Sequence, residues 1–155
     1  MAFTISLKSL IVTTVLASLA VVVNTAPLSR RQLGSVQCNI DRLKIVVGLQ
    51  ETSDAVNKLA WQVVDTAAAA NVTTAQTGIH GAQLAIDGIA NAVFANQTAP
   101  PELRDQVGGN FTIAADALTS INATDPALNA TVTNALNLLS QASDAGNAVV
   151  QDCTA

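Results

Sequence analysis

The sequence predicts an all-α domain, an antiparallel up-down four-helix bundle with a disulfide joining the start of the first helix to the end of the last. Three observations lead there. The chain is half apolar yet only 3% aromatic, with no Tyr, and its strand-like β-branched runs are short. Apolar residues recur at three- and four-residue steps through four successive segments. Two cysteines, Cys38 and Cys153, bracket all four segments.

The first segment is expected over about 38–70. Val46, Leu49, Ser53, Val56, Ala60, Val63 and Ala67 form its stripe, which Ile40, Leu43 and Leu59 widen. The second covers about 74–96, with Ile79, Ala82, Ile86, Ile89 and Val93 in the same rhythm. The third opens at Pro100-Pro101, where Pro101 suits a first helical position because its missing N–H has no intrahelical partner there anyway. Its stripe is Leu103, Val107, Phe111, Ala114, Leu118 and Ile121. The fourth starts with Asp125 as N-cap and Pro126 at N1, followed by Leu128, Val132, Leu136, Leu139, Ala142, Gly146, Val149 and Cys153.

Each segment has one face to bury, and short connections make successive helices antiparallel neighbours. An even number of helices brings the chain back to its starting end, where Cys38 and Cys153 then meet. A three- or five-helix bundle would hold them tens of ångströms apart at about 1.5 Å per residue. The core residues are small: Ala67–Ala70 is an unbroken run, and Gly48, Gly88 and Gly146 interrupt helical patterns. Small residues let helices approach closely, so the expectation is a tight, modestly stable bundle without a large cavity. If it opens to admit something apolar, the staple should keep one end closed and leave the other, near Asn71 and Asn122, to part.

Residues 1–26 read as a secretory signal peptide. Lys8 supplies the positive region, Leu10–Val23 is apolar but short for a membrane span, and the small residues at 24–26 suit cleavage. Residues 27–37 are then a short pro-segment or flexible tail, with the bundle domain at 38–155. Arg30-Arg31 fits a processing protease, and equally fits two solvated arginines. Cleavage there leaves Arg42, Lys44, Lys58 and Arg104 against 11 acidic residues, a net charge of −7. So acidic a chain is not drawn to nucleic acid or anionic lipid head groups, and no transmembrane anchor is expected. The oxidising route makes Cys38–Cys153 the expected disulfide.

Asn71, Asn96, Asn110, Asn122 and Asn129 each begin an N-x-[ST] sequon, which behind a signal peptide predicts glycosylation. Asn71, Asn96 and Asn122 fall in the three connections and Asn129 in the first turn of the last helix. Asn110 sits on the border of the third stripe.

The sequence offers little for catalysis. His80, the single histidine, lies between Gly78 and Gly81 with no acid or nucleophile near it in sequence. The carboxylates are scattered as solvated helix faces usually are, and there is no nucleophile elbow, phosphate loop or zinc motif. No enzyme, metal or cofactor is expected. Trp61 lies on a flank of the first helix near Val64. It either caps the edge of the core or grips an apolar partner, so this pair is a possible apolar contact. Ile45-Val46-Val47 is apolar around more than half a turn, which fits a second contact face or a helix buried on two sides.

The leader, Arg30-Arg31, the run Cys38-Asn-Ile-Asp-Arg42-Leu-Lys-Ile-Val-Val47 and the closing Val149-Val-Gln-Asp-Cys153 resemble small secreted fungal proteins. The chain is loosely similar to the family of hydrophobic-surface-binding protein A and the cell-wall galactomannoproteins, and departs from it in carrying the terminal cysteine pair. The resemblance implies a helical, non-catalytic protein, secreted or attached to the cell wall, that adsorbs to hydrophobic surfaces or binds fatty acids. The expected function is binding of hydrophobic surfaces or lipids. A closed lipid carrier is one alternative. Another is a secreted effector or structural wall glycoprotein recognising wall polysaccharide or host components.

Overall fold

The structure is a computed structural model that describes residues 35–64 and 66–153. Four helices account for nearly all of it: α1 (Val36–Gln62), α2 (Ala69–Phe94), α3 (Pro101–Thr119) and α4 (Pro126–Asp152). They form the expected antiparallel bundle. The expected signal peptide at 1–26 and the Arg30-Arg31 pair lie outside the described residues.

Local chemistry sets most helix ends. Ser35 caps α1, its hydroxyl accepting from the Cys38 N–H at 3.0 Å. Helix α1 therefore starts two residues before Cys38, where the sequence placed the first segment. Asp125 caps α4 as expected, accepting from the N–H groups of Ala127 and Leu128, both at 2.9 Å. Pro101 opens α3. At the end of α2 the chain turns through Asn96 in the left-handed region, at φ 58°. Gln97 N–H then donates to Ala92 C=O and Asn96 N–H to Val93 C=O, satisfying two carbonyls that the helix end leaves open.

The first connection departs from expectation. α1 stops at Gln62, and Ala69 and Ala70 begin α2 instead of extending α1. The hydroxyl of Thr66 donates to the Val63 carbonyl at 2.7 Å and helps close a turn there. A run of alanines accepts either helix, so it carries no boundary signal of its own.

The disulfide Cys38–Cys153 is formed, with the two Cα atoms 5.1 Å apart across 115 residues of sequence. Closing a loop of that size contributes about 4–5 kcal/mol in the chain-entropy model.

The four helices are not evenly spaced. α1 packs closely along α4, and α2 closely along α3, while the seams α1·α2 and α3·α4 are much looser. Glycines mark the close approaches. A Cβ at Gly48 would stand 3.2 Å from Ala142 Cβ, and one at Gly78 only 2.8 Å from the Asn110 carbonyl oxygen. At Gly88 it is the tip of the Leu103 side chain that fills the space, whereas Gly146 faces open space. The bundle is thus two tight pairs, α1 with α4 and α2 with α3, laid against each other.

The core is uneven along the bundle axis. At the end formed by connections 63–68 and 120–125 it is dense: Val56, Leu59, Val63, Val72, Ile79, Leu118, Ile121 and Val132 are buried. At the disulfide end, none of the described residues 86–110 is buried, nor any of 42–48 or 146–153. Inward positions Ile45, Ile86, Ile89, Val93, Leu103, Val107 and Val149 are only half-buried there. Val46, expected in the core, is exposed, as are Ile40 and Leu43. At this end the inward positions of all four helices are therefore only partly covered.

Candidate functional site: the apolar disulfide end

The disulfide end combines thin packing with exposed apolar side chains. On α1, Val36, Ile40, Leu43 and Val47 are all exposed, Val36 at 78%. Their spacing of four, three and four residues puts them on one face, about opposite the stripe that packs into the bundle. Ile40, Leu43 and Val47 join Lys44, Glu51 and Gln141 around a shallow groove of ≈ 330 Å³, open to the surface. Phe94 closes α2 at 86% exposure, and Val150 on α4 is 57% exposed. A second open groove, ≈ 360 Å³, follows the loose α3·α4 seam between Phe111, Ala115, Leu136 and Leu139. Neither groove is enclosed.

A disulfide joins two of the helices at this end, and a buried carboxylate stands beside it. One turn beyond Cys38, Asp41 is only 1% exposed. Its carboxylate accepts from Lys44 Nζ at 2.8 Å and from Gln37 Nε2 at 3.0 and 2.9 Å. The Lys44 ammonium first and the Gln37 amide second hold the carboxyl below its ordinary range against the opposing effect of desolvation, and the Asp152 side chain adds a smaller hydrogen-bonding contribution. Asp41 and Asp152 flank the disulfide from its two helices, but the Gln37–Asp41–Lys44 contacts all lie within α1, so it is the covalent bond that fastens the pair.

The remaining predicted positions are dispersed. Trp61 and Val64 lie at the opposite end, on the last turn of α1 and just beyond it. Trp61 is 84% exposed, so it does not cap the core there. His80 is exposed on α2. Among the described residues no group of three metal-ligating side chains occurs. No helix among them is long and apolar enough to cross a membrane.

The sequons divide by position. Asn96 and Asn122 lie in connections and Asn129 in the first turn of α4, as expected. Asn71 belongs to the first turn of α2, not to the connection before it, and its Nδ2 donates to the Ser120 carbonyl at 3.2 Å. Asn110 is half-buried at the α2·α3 contact. Its side chain packs over the Gly81 backbone, and its Nδ2 donates to the Gln106 carbonyl at 2.8 Å. The nitrogen that would carry the sugar is therefore turned toward the protein.

The sequence reading missed Val36, Phe94 and Val150. Val36 had a usable signal, since the 36-40-43-47 spacing is visible in the sequence as a second stripe. Phe94 and Val150 had none, because each continues a pattern whose inward half is buried elsewhere.

No family model, curated protein or solved structure matches this chain.

Proposed function

We propose that this is a secreted, non-catalytic protein of a fungal surface or cell wall that binds hydrophobic surfaces or lipids. The observation that carries the reading is the uneven core. Amphipathic stripes that are buried at one end of the bundle stand half-open at the other, beside exposed Val36, Leu43, Phe94 and Val150. Soluble domains seldom leave contiguous apolar surface uncovered unless something binds it. The formed disulfide fits an oxidising, extracellular setting, and the sparse, scattered titratable groups fit a protein that binds without reacting.

Binding to an extended surface is favoured over a closed carrier because both apolar grooves are shallow and open. The test is adsorption of the secreted protein to hydrophobic beads or to an oil–water interface. Retention well above that of an inert acidic protein of similar size is expected, and equal retention refutes the reading. Native mass spectrometry of the same material separates the carrier, which would hold a co-purified lipid, from the surface binder, which would be empty.

A further inference from the structure

We propose that the bundle opens at the disulfide end as two rigid helix pairs, α1 with α4 and α2 with α3, and lays their inner apolar stripes on the surface it binds. This rests on the surface-binding reading and adds to it the face used and the motion that exposes it.

The topology permits this motion and disfavours the opposite one. The chain passes between the pairs twice, at 63–68 and at 120–125, and both crossings lie at the same end. At the disulfide end the covalent links run only within a pair: Cys38–Cys153 joins α1 to α4, and residues 95–100 join α2 to α3. Parting the pairs there breaks no covalent link and stretches no connection. Parting them at the other end would pull directly on both crossings. The staple thus keeps the first pair intact while the bundle opens beside it. This reverses the sequence expectation, in which the staple marked the closed end.

Packing energetics point the same way. Apolar burial stabilises by about 25 cal/mol per Å², so opening costs least where inward side chains already touch water. Ile45, Ile86, Ile89, Val93, Leu103, Val107 and Val149 meet that condition at the disulfide end. At the hinge end, separation would expose Val56, Leu59, Leu118 and Ile121, all buried. There Gln76 Nε2 on α2 also donates to Asn57 Oδ1 on α1 at 2.9 Å, a bond across the seam. Within each pair the glycine-mediated approaches at Gly48 and Gly78 leave no slack, so the pairs move as bodies. The inner faces of the disulfide half then offer mostly Ile, Val and Leu to a surface.

Spin labels on noncanonical residues report the motion without disturbing the native disulfide. One inter-pair couple sits at the mouth (positions 36 and 91), one at the hinge (58 and 73), and one within a pair (36 and 147). On an emulsion of tetradecane in water, the mouth distance should grow by on the order of 10 Å, about a helix diameter, while the other two hold. In parallel, Val107→Asp on the inner mouth face should weaken adsorption by about tenfold or more, the equivalent of about 1.4 kcal/mol. Leu84→Asp on the exposed outer face of α2 should leave it within about twofold by the same conversion. Circular dichroism checks that both variants are folded. Adsorption with an unchanged mouth distance, or with the hinge couple opening instead, overturns the proposed motion and leaves surface binding standing. Failure of the unmodified protein to adsorb overturns both.

Discussion

The two halves of this bundle are built from the same four amphipathic helices and held by different forces. Toward the 63–68 and 120–125 connections, stripes from both pairs interlock and exclude water. Toward the disulfide, apolar positions continue on every helix but are only half-covered, and the Cys38–Cys153 bond fastens α1 to α4. Hydrophobic patterning is therefore necessary for a core but does not locate it. A core forms where the topology brings two stripes within contact distance, and here that happens where the chain itself crosses from pair to pair.

The largest test of this contrast is truncation of equivalent inward residues in the two halves. Leu59→Ala at the dense end should cost about 3 kcal/mol of unfolding free energy, within the usual range for a fully buried leucine. Ile89→Ala, half-buried near the disulfide, should cost about 1 kcal/mol, since most of what it removes already meets water. Urea unfolding measures both. Equal costs would mean that the two halves are packed alike.

Glycines sharpen the contrast between tight pair and open end. Gly78→Ala would push a methyl group against the backbone of α3 and should destabilise by about 1–3 kcal/mol, as overpacking does. Gly146→Ala meets no atom within 4 Å, and should stabilise by about 1 kcal/mol through helix propensity alone. Opposite shifts in melting temperature are the expected result.

Acid should act on the start of α1. Asp41 titrates below its ordinary value when folded. Its contribution to stability is therefore complete above the unfolded value of about 3.9 and is lost as pH falls through the lowered folded value. Hydrogen exchange in the first turns of α1 should accelerate in that acidic window while α1 near Leu59 is unaffected, and Asp41→Asn should remove the difference. The smallest expected signal is in glycan occupancy. Mass spectrometry of the secreted protein should find Asn110 the least occupied of the five sequons, because its amide packs over Gly81 and is tied to the Gln106 carbonyl.

Legibility in the sequence followed the range of the forces concerned. α4 could be read almost completely, because Asp125-Pro126 is a local start signal and its stripe runs unbroken. The start of α3 at Pro101 was equally local. The boundary between α1 and α2 was not, since Ala67–Ala70 suits either helix and the turn depends on the Thr66 hydroxyl reaching Val63. The exposure of Trp61 was half-legible: its flank position was clear, and the extent of its exposure was not. The burial of Asp41 was hidden among acids that look solvated, because packing and not local sequence decides it.

By itself, the sequence determined four amphipathic helices, their antiparallel order and the meeting of Cys38 with Cys153. These follow from periodicity, capping and the parity of the helix count, which are properties of neighbouring residues or of chain connectivity. Only the tertiary structure decided that the helices sort into two tight pairs, and that the end carrying the disulfide is the open one. Those outcomes depend on interhelical distance, set by where Gly48 and Gly78 let backbones approach and by which end carries both crossings. No single helix encodes either.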